Sequence, residues 1–220
     1  MSYFSNGHRR RIMKDSIVAW FSMYGRSFPW RSTSNSYHVL VAEMLLRRTT
    51  ASAAARVYPG FIHRFEQPAQ LANARLSTIE SMIETLGLQK MRSQHLKQMA
   101  RCLVKDYDGV VPSDPLQLSK LPGVGQYVAA AVLNFVFGKH VPLIDGNVIH
   151  LMTRISGLTF KGPTDQHLLS LLESLDLDDA SKFFYWGVID LVAKVCLRKK
   201  PQCMLCPVQE ICTWASKNAD

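Results

Sequence analysis

No stretch of this sequence is long and apolar enough to span a bilayer. The N-terminal residues, MSYFSNGHRRRIMKDSIVAWF, lack the uncharged apolar run and small-residue cleavage site of a secretory leader. Both absences lead to the expectation of a soluble, cytoplasmic chain. No segment alternates with period two over a β-branched run, which disfavours a sheet. There is no internal repeat and no low-complexity linker, so neither an array nor a tethered tail is expected. Acidic side chains are in short supply, 17 Asp and Glu against 26 Lys and Arg, for a formal net charge of +9. That imbalance favours a polyanionic partner, either nucleic acid or an acidic membrane surface. Cysteine is too sparse and too clustered for a secreted disulfide scaffold: of five in 220 residues, four fall in the last 25.

What is present is core-forming material. Hydrophobic residues make up 47% and charged residues 20%, enough for a packed core in one domain or two small ones. The periodicity is helical throughout. Ile12, Ile17, Val18, Phe21 and Met23 suit an amphipathic helix ending near Gly25, and a second helix is expected from Tyr37 to Arg48. A third runs from Ser52 to Phe65, with Pro59-Gly60 as a potential kink or break. Further apolar stripes cover 77–87, 91–107, 115–120, 125–137, 146–156, 166–174 and 180–195, separated by Gly, Pro, Asp and Asn. The expected fold class is all-α, with roughly ten short helices.

The C-terminal cysteines read Cys196-x6-Cys203-x2-Cys206-x5-Cys212. Four thiolates at such separations match either a [4Fe–4S] cluster or a tetrahedral zinc. Zinc sites more often pair two C-x2-C knuckles, and here there is one. Pro207, Leu205, Val208 and Ile211 would shield such a centre from water. Arg198, Lys199 and Lys200 sit between the first two thiols. They form either a solvated charge run or a stapled loop that offers cations to phosphates.

Residues 120–134 read KLPGVGQYVAAAVLN. Gly123 and Gly125 make a tight turn ahead of a small-residue helix, and the amides there form a nest suited to a DNA phosphate, with Leu121 and Gln126 flanking it. Eighteen residues beyond Tyr127, Asp145 stands in V-P-L-I-D-G-N-V at the head of another helical stripe. Capping alone would explain it, but a carboxylate there could also return to the mouth of the hairpin. Glu43, in E-M-L-L-R-R-T-T, is four residues from Arg47 and could simply pair with it.

Taken together, LPGVG, the Asp145 context and the cysteine tail resemble the helix-hairpin-helix DNA glycosylase superfamily. Within it they resemble the iron–sulfur branch containing endonuclease III, the adenine glycosylase MutY and the thymine–DNA mismatch glycosylases, over roughly residues 15 to 215. The resemblance implies a [4Fe–4S] cluster on Cys196, Cys203, Cys206 and Cys212. It also implies two lobes: residues 35–140, a six-helix barrel-like lobe with the hairpin, and 1–34 plus 141–220, a cluster lobe. DNA is then expected across the cleft, with Asp145 and Tyr127 at its base. Endonuclease III-like enzymes carry a lysine where Tyr127 stands, and a phenol cannot form the imine that leads to strand cleavage. MutY-like enzymes usually have Ser there and Gln-Gln-Thr after the Glu. Tyr127 and Arg47-Arg48 are similar to the thymine mismatch branch.

The resemblance therefore implies a monofunctional, monomeric glycosylase acting on mismatched double-stranded DNA, releasing thymine or uracil opposite guanine. Asp145 would stabilise positive charge on the sugar, and Glu43 and Tyr127 would contact the flipped base. Arg47 or Arg48, with Leu46, would fill the gap or read the orphaned guanine. The alternatives are MutY-like adenine removal and an iron–sulfur DNA-binding protein without catalysis. Trp30, Tyr37 and His38 are read as core more readily than as pocket. Tyr185 and Trp186 are read as core, Asp190 as a cap or orienting group, and Cys102 as a buried apolar residue.

Overall fold

The computed structural model describes residues 7–177 and 180–218; residues 1–6, 178, 179, 219 and 220 of the expected cluster lobe lie outside the described residues. Among the described residues there are twelve α-helices, several short 3₁₀ turns and no strand. None of these helices is long and apolar enough to cross a membrane. The chain divides into two compact units, residues 27–137 and residues 1–26 with 138–220.

In the 27–137 unit, α2 (Ser36–Leu46) starts where the Asn35 side chain accepts bonds from the Tyr37 and His38 amides. It is buried almost all round, from Tyr37 and Val39 to Leu45, which makes it the central helix of the unit. On it pack α3 (Ala51–Arg64), α6 (Gln89–Asp106) and α8 (Gln126–Phe135), while α4 (Pro68–Asn73) and α5 (Leu76–Met82) pack on α6 and α7 (Pro115–Lys120) on α8. Helix α3 runs unbroken through Pro59 and Gly60. Ala54, Tyr58 and Phe61 recur on one buried face, and their burial outweighs the ~3 kcal/mol cost of an interior proline. Helix α4 is too short to show a period in sequence. It begins with Pro68 in its first turn and the Gln70 side chain bonded back to the Gln67 amide.

The other unit is built from α1 (Gly7–Tyr24), α9 (Gly146–Ser156), α10 (Gln166–Glu173), α11 (Ser181–Lys194) and α12 (Thr213–Lys217). Helix α1 packs on α11 through Met13, Ile17 and Trp20. Met23 is 68% exposed, against the expected stripe. It sits about a quarter-turn off the face that the other three define. Gly187 permits the close approach: a Cβ there would lie 2.6 Å from Ile17 Cγ2. Asp190, fully buried on α11, accepts from the Arg26 amide at 2.6 Å and pairs with the Arg26 guanidinium at 2.8 Å. It thus fastens the chain leaving α1. Tyr185 and Trp186 are core, with the Tyr185 hydroxyl accepting from the Leu143 amide.

Candidate nucleic-acid interface and thiol pocket

The α7–α8 hairpin is shaped by its buried and unburied residues. Leu121 and Val124 are buried and bonded to each other through the main chain, so the Leu121 side chain anchors the turn from inside. Gly123 between them has φ +78°, and a Cβ there would come within 2.8 Å of His95 Cβ on α6. Gly125 caps α8 in an extended conformation, and both it and Gln126 are exposed. The first-turn amides of α8 have no carbonyl within the helix to bond, and this end is open to an anion. Tyr127 follows, half-buried.

Glu43 is 2% exposed on α2, which packs directly on α8. Helix α2 ends at Arg47, whose Nη1 donates to Gly123 O at 2.8 Å, so this arginine braces the hairpin. Arg48 is exposed with φ +54°, and Leu46 is half-buried beside it. Two residues here were not singled out by sequence. Leu88, at φ +54° after Gly87, is 48% exposed. Arg92 is buried and donates to the carbonyls of Met44, Leu45, Arg47 and Gly87. Burial, then the neighbouring Arg47 charge, lowers its pKa from the usual arginine value. The available sequence signal was a charged residue in phase with Leu96, Met99 and Leu103, the buried stripe of α6. Trp30 and Tyr37 are core. The Tyr37 hydroxyl has no hydrogen-bond partner among the described residues, and burial pushes its pKa well above the ordinary tyrosine value. His38 is half-buried, with Nε2 3.1 Å from Glu66 O. Cys102 is not buried as expected: it faces outward on α6, where its thiol donates to the Asp106 carboxylate one turn on.

In the other unit, Asp145 caps α9. Its Oδ1 accepts from the Asn147 and Val148 amides, both at 2.8 Å, and its Oδ2 accepts from Asn147 Nδ2 at 2.7 Å. The carboxylate is half-buried and held by three donors, which fixes its orientation. Asn147 is the orienting partner that sequence reasoning overlooked.

The C-terminal thiols gather further along the same helix. Cys196, Cys203, Cys206 and Cys212 all line one pocket of about 320 Å³, partly open to solvent, with Leu151, Ile155 and Val208 among its apolar walls. Burial, then the neighbouring thiols, pushes the Cys206 thiol up to about 12. Burial also raises Cys196, against the Arg154 guanidinium that donates to its sulfur at 3.4 Å. Arg154 also donates to Leu197 O and Arg198 O and lies over the Trp214 ring, clamping the loop to α9. Among the described residues no three His, Cys, Asp or Glu side chains already converge as ligands of one metal ion. Four sulfur donors in one apolar pocket beside a guanidinium nevertheless fit an anionic metal–thiolate centre. Arg198, Lys199 and Lys200 are exposed on this loop, and Arg198 Nη2 reaches Gly146 O at 3.2 Å.

Comparison with known proteins gives this arrangement its relatives. The chain is 36% identical to a thymine-DNA glycosylase of Aeropyrum pernix, covering 94% of this chain and 95% of that one. It is 37% identical to a thymine/uracil-DNA glycosylase of Pyrobaculum aerophilum, covering 93% and 92%. The solved structure of a thermostable thymine-DNA glycosylase superposes with a TM-score of 0.91 at 31% identity, over 96% of this chain and 98% of that one. Residues 41–175, which hold the second half of α2 with Glu43, the hairpin and Asp145, match a family of base excision DNA repair proteins, and the chain accordingly belongs to the HhH-GPD superfamily.

Proposed function

We propose that the protein is a monofunctional, monomeric DNA glycosylase that hydrolyses the N-glycosidic bond of thymine or uracil mispaired with guanine in double-stranded DNA, acting in the cytoplasm on nucleoid DNA. The observation that carries the reading is Tyr127 in the first turn of α8. This phenol follows the hairpin in a chain that matches thymine and thymine/uracil glycosylases nearly end to end. A phenol is no imine-forming amine, so the chemistry ends at an abasic site.

Each assigned residue has a role its setting supports. As the bond to the base breaks, positive charge grows on the deoxyribose, and the fixed carboxylate of Asp145 stabilises it and orients the attacking water. Glu43 and Tyr127 polarise the departing pyrimidine. A mispaired base is the least costly to extrude, which favours G·T and G·U over A·T. The amides at Gly125 and Gln126 donate to a phosphate, Arg198, Lys199 and Lys200 neutralise phosphates, and Arg47 or Arg48, with Leu46, fills the gap or reads the orphaned guanine.

The four cysteines are assigned a [4Fe–4S] cluster. Four sulfurs share one apolar pocket, and their spacing holds one C-x2-C pair where zinc sites more often have two, which favours the cluster over a tetrahedral zinc. When bound, the cluster supplies a covalent staple that orders the basic loop. The chain's part is to donate four sulfurs, shield them with apolar walls and balance their charge with Arg154.

The test is base release from duplexes carrying G·T, G·U, A·G or A·8-oxoG. Release of thymine and uracil, with the strand intact until alkali is added, is the expected result. Adenine release alone, or borohydride trapping on the DNA, overturns the reading.

A further inference from the structure

Arg92 is a buried cation whose hydrogen bonds among the described residues all go to main-chain carbonyls. Nη1 donates to Met44 O at 2.8 Å and Leu45 O at 3.0 Å, and Nη2 donates to Arg47 O at 2.9 Å. Nε and Nη2 both reach Gly87 O, at 3.4 and 3.5 Å. The first three acceptors lie at the C-terminus of α2, where carbonyls lack intrahelical partners and the helix dipole favours a cation. The fourth belongs to a different segment, the turn before α6. One planar guanidinium therefore bridges two chain segments forty residues apart or more.

Both bridged segments hold a non-glycine residue in the left-handed region, Arg48 and Leu88, each at φ 54°. Such conformations persist only where surrounding contacts over-determine them. The hairpin joins the same assembly: Arg47 donates to Gly123 O, and His95, one turn beyond Arg92, packs beneath Gly123. Arg47, Arg48, Leu88, Met91 and His95 then border a single pocket with Arg92 on its wall.

We propose that Arg92 is a positioning residue that locks the α2 C-terminal turn and the Gly87–Leu88 turn into one preformed edge, so that Arg47, Arg48 and Leu88 meet a mismatched duplex already ordered. The proposal rests on the glycosylase reading for its ligand. Ordering these groups before DNA arrives removes that cost from binding, and the saving applies to the complex in which the edge enters the mismatch. Lysine keeps the charge but cannot span two segments with a planar set of donors.

The experiment compares wild type with Arg92→Lys and Arg92→Met. Affinity is measured for matched and G·T duplexes, and fluorescence of 2-aminopurine beside the mismatch reports base extrusion. Neither readout needs turnover: absence of base release by wild type sinks the glycosylase reading, whereas the affinity ratio and the fluorescence judge Arg92. Both variants are expected to bind matched duplex within about twofold of wild type and to lose mismatch preference by about tenfold or more, with the fluorescence rise abolished. Unchanged mismatch preference overturns the proposal, as does equal loss on both duplexes. Hydrogen exchange of the free wild-type protein supplies a check independent of any variant's folding. Amides in 46–49 and 87–89 should be protected before DNA is added, and exchange at the rate of an open loop overturns the proposal.

Discussion

Asp145 caps α9 and is assigned a second task in the proposed mechanism, and the two can be separated. Asparagine caps a helix about as well as aspartate, so Asp145→Asn should leave thermal stability and DNA binding near wild type while lowering single-turnover base release by about 100-fold or more. Asp145→Ala should add a loss of about 1 kcal/mol in denaturant unfolding. Equal turnover in Asp145→Asn and wild type would remove the carboxylate from the mechanism. This residue, the hairpin glycines and the four cysteines were legible in sequence because each belongs to a short pattern with fixed spacing. Arg92, Asn147 and Arg154 were not. Arg92 and Arg154 act on carbonyls or sulfurs more than forty positions away, and no local period encodes such a partner. Asn147 was in view but is also an ordinary second residue of a capped helix. The alternative pairing of Glu43 with Arg47 looked sound at i,i+4, yet α2 ends at Arg47 and its guanidinium turns to Gly123.

At the scale of elements, helix existence was read well wherever an apolar face ran for three turns or more. It failed for α4 and α12, six and five residues long, while the helix expected over Ser52–Phe65 is continuous through Pro59-Gly60, where buried aromatics override the proline. Two glycines in helices test this packing in opposite directions. At Gly60 in α3 an added Cβ meets nothing within 4 Å, so Gly60→Ala should stabilise by about 0.5–1 kcal/mol in chemical denaturation. At Gly187 in α11 the same change drives a methyl into Ile17 and should cost at least about 1–3 kcal/mol. Helix α10 supplies a pH test. Its cap, Asp165, is held below the usual carboxylate value first by the Lys161 amide and also by those of Leu168 and His167. A depressed folded-state value means its stabilising contribution is full above the unfolded carboxyl pKa of about 3.9 and is lost as pH falls through the folded value. Asp165→Asn should therefore weaken the acid dependence of unfolding in that range while the helix stays capped.

For the whole molecule, the surplus of nine positive charges sets how binding responds to salt. Each lysine that neutralises a phosphate contributes about −0.9 to the slope of log affinity against log salt. Lys199→Ala and Lys200→Ala should each weaken binding to all duplexes alike and reduce the slope by about one. A loss confined to mismatched DNA would mean the loop reads bases. Charge alone left the partner ambiguous between nucleic acid and membrane. The hairpin and the family match, which composition cannot express, are what direct it to DNA.

The bond between Arg26 and Asp190 has a consequence for the order in which the protein can be completed. Residues 27–137 form a unit contiguous in the chain, able to close while the ribosome is still working. Helix α1 precedes that unit in the chain, but the carboxylate that holds Arg26 at its end is 164 residues downstream. At synthesis rates of about 5–20 residues per second, its Met13, Ile17 and Trp20 face goes without α11 for roughly ten to thirty seconds. Helix α1 thus leaves the ribosome ahead of the 27–137 unit yet finds its place after it, and in that interval it presents an apolar, basic surface to any chaperone within reach.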